Sequence, residues 1–258
     1  MKKHFVLVHG SCHGAWCWYK VVAVLKSLGH NVTAVDLAAS GINTTKQANE
    51  VHCISEYAQP LMEFMEGLPE DERVILVGHS LGGISTTMAM ERFPRKIAVA
   101  VFVSAFMPGP DLPYLHITQQ TTPGIDFFMD SQYTYRNGLE QPPTTVIFGH
   151  DFLASNMYQN SPPEDLVLAS MLLRPSPLFN DPESLKGSSL TKENYGSVRR
   201  VYTVCTADIG LPEKTQRSMI ERNPPDDVQV IIDADHMPMF SKVSELCSCL
   251  LDIAESCR

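Results

Sequence analysis

A serine, an aspartate and a histidine, each just beyond an apolar run, are the residues of this sequence that could do chemistry together. Ser80 lies in Val74-Ile75-Leu76-Val77-Gly78-His79-Ser80-Leu81-Gly82-Gly83, where a β-branched run stops at Gly-x-Ser-x-Gly and passes into a helical pattern. That is the strand-turn-helix context in which a serine nucleophile is held on a tight turn. Three fixed positions of common residue types arise by chance in about one chain in ten of this length, so the context carries the argument rather than the pentapeptide. Side chains at Gly78 or Gly82 would collide with a neighbouring strand or helix on such a turn.

A serine hydroxyl needs a base, and a histidine serves because its pKa lies near neutrality. His236 follows the strand-like Val228-Gln229-Val230-Ile231-Ile232 and precedes the last helical pattern, which puts it on a loop beyond a strand's C-terminal end. Ligands in open α/β sheets collect at that edge. His9, His13 and His79 also fall near strand ends, whereas His30, His52, His116 and His150 have no comparable setting. An acid must hold the base's tautomer. Asp208 ends the run Val201 to Ala207; Asp235, bonded next to His236, would struggle to face its ring, and Asp233 is the runner-up. The chain order Ser80, Asp208, His236 is the order expected of the α/β-hydrolase fold.

The oxyanion of acyl transfer needs two donors. The backbone N–H of Leu81 is one by position, and the loop His9-Gly10-Ser11-Cys12-His13-Gly14 supplies the other, with Ser11 N–H the candidate. The Ser11 hydroxyl either adds a polar contact in the pocket or caps the following helix. A dinucleotide-binding reading of this loop, with Asp36 as ribose ligand, fails because G-x-G-x-x-G is absent.

These residues must be positioned by a larger frame. The sequence predicts strands at 4–9, 31–36, 73–78, 97–103, 199–205 and 228–232, and helices at 15–28, 55–67, 81–92, 212–222 and 241–255. Such alternation gives a mainly parallel sheet with helices on both faces. Prolines recurring from Pro108 to Pro182, Pro123 among them, interrupt any sheet pattern there and leave short helices and irregular loops, with one clear helix over 163–172. The 258 residues thus divide into a core of 1–107 and 186–258 and a cap insertion of 108–185. Phe127, Phe128, Met129, Phe148, Phe152, Leu153 and Met157 suit an apolar lid, although each could serve only the cap's own core.

The formal charge of −9, with no basic cluster beyond Arg199-Arg200, argues against nucleic acid as a partner. No segment approaches the length of a membrane span, and the N-terminal apolar run Phe5 to Val8 is too short for a signal-peptide core. Seven cysteines without a C-x-x-C pair imply reduced thiols, no metal site and a cytoplasmic location, with the sequons at Asn31 and Asn43 coincidental.

The chain resembles the plant methylesterase and hydroxynitrile lyase family of the α/β-hydrolase superfamily, which includes salicylate methylesterase, polyneuridine aldehyde esterase and a methylketone synthase. The likeness rests on His4 to Gly10, Cys12-His13-Gly14-Ala15-Trp16, Asp36-Leu37-Ala38-Ala39-Ser40-Gly41, Val74 to Gly83, Pro162 to Leu168, Tyr195-Gly196-Ser197-Val198 and Asp235-His236-Met237. Asn223-Pro224-Pro225-Asp226 and Pro142-Pro143-Thr144-Thr145 look most like the methylketone synthase branch.

The resemblance implies a carboxylic ester hydrolase with a Ser80, Asp208, His236 triad, no cofactor and often a homodimer. Similar lyases carry a lysine directly after the histidine, where Met237 stands here, which disfavours cyanohydrin cleavage; the methylketone synthase branch lacks the serine that this chain keeps. Ser11 replaces a small apolar residue usual in the methylesterases, and Phe128 stands where they carry tryptophan, so the expected pocket, with Phe128, Phe148 and Met237 in it, is roomier or more polar. The expected substrate is the methyl ester of a small plant hormone or specialised metabolite, including an alkaloid β-dicarbonyl ester whose acid then loses carbon dioxide. A receptor or carrier of the same fold and a residual lyase are the alternatives.

Overall fold

A computed structural model describes residues 2–121 and 124–257; Pro123, one of the prolines on which the expected insertion rests, lies outside them. The first half runs β1 (His4–Val8), α1 (Tyr19–Ser27), β2 (Asn31–Val35), α2 (Ile54–Gly67), β3 (Val74–Ser80), α3 (Gly82–Arg92) and β4 (Ile97–Ala105). Next come α4 (Tyr114–Thr121), β5 (Gln132–Thr134), β6 (Thr145–Ile147), α5 (His150–Phe152), α6 (Pro163–Leu172) and β7 (Ser176–Pro177). The chain closes with β8 (Arg200–Cys205), α7 (Glu213–Arg222), β9 (Asp227–Ile231), α8 (Pro238–Ser241) and α9 (Val243–Ser256).

Six strands form one sheet in the order β2-β1-β3-β4-β8-β9, and every neighbouring pair is parallel. These are the six strands expected from the sequence, and the architecture is the α/β-hydrolase fold. Because side chains alternate along a strand, the apolar runs feed two cores. Val6, Val8, Leu76, Phe102 and Tyr202 share one apolar cluster with Leu61 of α2 and Ile84 of α3. Phe5, Leu7, Val77, Val101 and Val201 share the other with Leu25 of α1 and Leu250 of α9. Burial on both faces is what makes these strands continuous in apolar residues, and each fully buried large side chain contributes about 1.5–3 kcal/mol of transfer free energy.

Two expected helices are divided. A 3-10 turn over Ala15–Trp18 precedes α1, and α8 precedes α9 because the backbone opens at Lys242 with φ −141°. Residues 108–185 are corrected more substantially: besides the expected short helices and irregular loops they hold a three-stranded antiparallel sheet, β5-β6-β7. Its strands span two or three residues, too short for alternation to register, and Pro177 is accommodated because β7 is an edge strand. Helix α6 forms as expected and is tied to the main body by Lys20 Nζ, 2.5 Å from Asp165 Oδ2, and by the Tyr19 hydroxyl, which donates to Asp165 Oδ1 at 3.1 Å.

The strand order reverses its direction of growth between β1 and β3, since β2 is added on one side of β1 and β3 on the other. A crevice opens beyond the C-terminal ends at such a switch point. The loop after β1 and the turn after β3 meet there.

Candidate active site

Strand β3 ends at Ser80, whose φ of 53° lies in the left-handed region that costs a non-glycine residue on the order of 1–3 kcal/mol. The β3–β4 ladder shifts register between His79 and Ser80, and α3 begins two residues later. Packing enforces this turn. A side chain at Gly78 would strike the Thr86 hydroxyl on α3, and one at Gly82 would strike the carbonyl oxygen of His9 beyond β1. The helix therefore sits close against β1 and β3 and presents Ser80 at the crevice.

His236 Nε2 lies 3.0 Å from Ser80 Oγ, and His236 Nδ1 lies 2.7 Å from Asp208 Oδ2. The carboxylate accepts from Nδ1–H, which leaves the Nε2 lone pair to receive the Ser80 proton. Asp208 is itself held by donors the sequence did not reveal: the Ser104 hydroxyl to Oδ2, the Leu211 N–H to Oδ1 at 2.8 Å and the Gln216 amide to Oδ2 at 3.5 Å. Gln216 also donates to the carbonyls of Cys205 and Leu211 and accepts from Cys205 N–H at 3.0 Å, so it braces the turn that carries Asp208.

Asp235 turns away from the ring and accepts from Asn160 N–H, the Ser161 and Ser241 hydroxyls and Met237 N–H. Asp233 is exposed. Of the three aspartates weighed, only Asp208 reaches His236.

The chain Asp208–His236–Ser80 opens on a cavity of about 350 Å³. Ser11, Leu81, Phe128 and Phe148 line it beside Ser80 and His236, and so do Phe152 and Met157. Phe128 and Phe148 each pack against Phe152, with ring centroids 5.3 and 5.0 Å apart, so these aromatics both form the wall and pack against the apolar cluster shared with α1 and α9. Leu153 does not line the cavity, although it shares its buried apolar cluster with Phe152 and Met157. Phe106, Tyr114 and Leu211 also line it, without any motif to mark them.

Met237 is a correction. It does not line the cavity: its N–H bonds to Asp235 at 2.9 Å, and its fully buried side chain joins the apolar cluster on the α1 and α9 face. The turn into α8 at Pro238 directs it there. Ser11 is not a helix cap either, since Gly14 holds the N-cap of the 3-10 turn with no side-chain bond. Among the loop and turn hydrogen bonds of the described residues, neither Ser11 N–H nor Leu81 N–H donates to a backbone carbonyl.

Three further histidines surround the site, all buried. His79 Nε2–H donates to the His236 carbonyl at 2.7 Å, which anchors the backbone of the base. Burial, reinforced by the nearby His236, drives the His79 pKa well below the ordinary value. Burial brings His13 down to about 3. Both rings are therefore neutral near pH 7. All seven cysteines are free thiols, and burial pushes Cys12 up to about 12. Among the described residues no group of side chains could hold a metal ion, and no helix is long and apolar enough to cross a membrane.

A model described as the alpha/beta hydrolase family matches residues 5–247. Methyl jasmonate esterase 1 of Vitis vinifera is 55% identical over 99% of this chain and 98% of its own length. Polyneuridine aldehyde esterase of Rauvolfia serpentina is 46% identical over 99% of this chain and 97% of its own. Among solved structures, tomato methylketone synthase I complexed with 2-tridecanone matches with a TM-score of 0.94, 49% identity and full coverage of both chains.

Proposed function

The chain belongs to the alpha/beta hydrolase family and, within it, to the plant methylesterases, and from that premise we propose that it hydrolyses the methyl ester of a small, largely apolar carboxylic acid. The observation that carries this reading is the unbroken hydrogen-bonded chain Asp208–His236–Ser80 at the floor of an apolar cavity.

In the proposed reaction Ser80 Oγ attacks the ester carbonyl carbon as His236 Nε2 takes its proton. Asp208 keeps the ring oriented and stabilises the imidazolium. The Ser11 and Leu81 N–H groups receive the oxyanion, an interaction in which one lost donor costs about 3 kcal/mol of transition-state stabilisation. Collapse of the tetrahedral intermediate breaks the bond to methoxide, which leaves as methanol with the proton from His236. Water then attacks the acyl-serine, giving its proton to His236. The second collapse returns that proton to Ser80 and releases the acid.

Residues 108–185 act as the cap in this reading, and their aromatic wall selects the acyl group. A volume of about 350 Å³ lies at the lower end of the roughly 300–1,000 Å³ usual for small-molecule sites. Methyl jasmonate is the first substrate to try, given the Vitis vinifera relative, and a β-dicarbonyl alkaloid ester is the second. The test is methanol and acid release from a panel of methyl esters of jasmonate, salicylate, indole-acetate and β-dicarbonyl acids, with wild type beside Ser80→Ala. Turnover of at least one ester, reduced about 10⁴-fold or more in the variant, is expected. Hydrolysis that survives in Ser80→Ala, or binding of the acids with no methanol released by wild type, would sink the proposal.

A further inference from the structure

His9 is fully buried, stands directly after β1, and takes no part in the proton transfers above. Both of its ring nitrogens are nevertheless engaged. Nδ1–H donates to the Gly10 carbonyl at 2.7 Å, and Nε2 accepts the Leu37 N–H at 3.1 Å. The second bond settles the tautomer: a nitrogen that accepts carries no proton, so the proton is on Nδ1. Burial lowers the pKa of the ring and keeps it neutral.

The Gly10 carbonyl and the Ser11 N–H belong to one peptide unit. Among the described residues no peptide is cis, so the two groups of that unit point in opposite directions. A ring that captures the carbonyl on one side therefore turns the N–H to the other. That peptide lies against the nucleophile, since a side chain added at Gly10 would come within 2.7 Å of Ser80 Cβ and 3.2 Å of its Oγ. The His9 carbonyl oxygen in turn abuts Gly82, the residue after Leu81. His9 thus touches the backbone on both sides of the site where the oxyanion would form.

We infer that His9 is a positioning residue for the oxyanion: its imidazole locks the Gly10–Ser11 peptide so that the Ser11 N–H is aimed at the developing charge before substrate arrives. The hydrogen bond to the carbonyl also polarises the peptide and strengthens the N–H as a donor. The inference rests on the esterase reading above.

Two substitutions separate the ring's two bonds. His9→Asn places an amide N–H near the position of Nδ1 and keeps the donor to Gly10 while giving up Leu37. His9→Gln reaches the position of Nε2 and keeps the acceptor for Leu37 while giving up Gly10. Kinetics are measured on the best ester of the panel, with kcat expressed per serine labelled at completion by a phosphonate, so that misfolded molecules do not count. Expected for His9→Gln is a fall in kcat of about 10- to 100-fold, below the full loss of a donor, with KM within about twofold. Affinity for a trifluoromethyl ketone analogue should fall in parallel, and affinity for the product acid should hold. His9→Asn should recover kcat to within about fivefold of wild type. Equal losses in the two variants, a loss confined to KM, or unchanged affinity for the ketone would overturn the inference while leaving the esterase standing. A wild-type protein that turns over no ester would overturn both.

Discussion

Ser104 donates to the same Asp208 oxygen that accepts the His236 Nδ1–H, from the end of β4 where its φ of 39° again falls in the left-handed region. Together with Leu211 N–H and Gln216 it satisfies a buried carboxylate that has almost no access to water. Hydrogen bonds to a charged group are worth about 1.5–3 kcal/mol, and Gln216 would compensate for part of one that is lost. Ser104→Ala should therefore lower kcat about tenfold with KM unchanged, because Asp208 is freed to rotate while the substrate walls are untouched. Asp208→Asn should be far more severe, about 10⁴-fold, since an amide holds the wrong tautomer of His236. Steady-state kinetics on the two variants separate the positioning role from the orienting one. If Ser104→Ala were as damaging as Asp208→Asn, the distinction would be wrong.

At the scale of elements, the tight seat of α3 on β3 decides where Ser80 stands. Gly78→Ala drives a methyl into Thr86, whose hydroxyl also donates to the Gly82 carbonyl at 3.0 Å. The expected cost is about 1–3 kcal/mol of stability, as for other overpacked cores. Thr86→Ala in the same chain should return much of it, and a double-mutant cycle by denaturant melts reads the coupling. Additive losses would mean the collision is relieved elsewhere. The same packing explains what could be read from the sequence. The strands and the turn after β3 were legible because a buried parallel strand is an apolar run, and Gly-x-Ser-x-Gly marks a close backbone approach. Ser104 and Gln216 were not, because their role depends on which strand lies beside which, and β4 meets β8 only through the sheet order. The small sheet β5-β7 was hidden by strands of two or three residues, too short to repeat the alternation, and Met237 by a turn whose direction no periodicity encodes.

The whole molecule carries one further consequence of its site, because His9, His13 and His79 are all buried neutral among the elements that meet there. In the unfolded chain each would bind a proton below about 6.5. In the native state His13 resists protonation until about 3, and burial lowers His9 and His79 in the same direction. Between these limits the unfolded state holds more protons, so stability is full above about pH 6.5 and declines as pH falls, by up to about 1.4 kcal/mol per unit for each histidine. Carboxylates with lowered values, such as Glu56 and Glu91, add their own loss only nearer their ordinary range, so pH 7 to 5 isolates the imidazoles. Thermal melts over that window should shift down by about 4 °C or more from His13 alone, with His9 and His79 acting in the same direction, given roughly 2–4 °C per kcal/mol for a chain of this size. His13→Asn, although less stable at pH 7, should show a shallower slope. Melting temperatures that stayed level from pH 7 to 5 would mean these rings protonate in the folded protein, and the neutral, tautomer-locked surroundings of Ser80 and His236 would have to be abandoned with them.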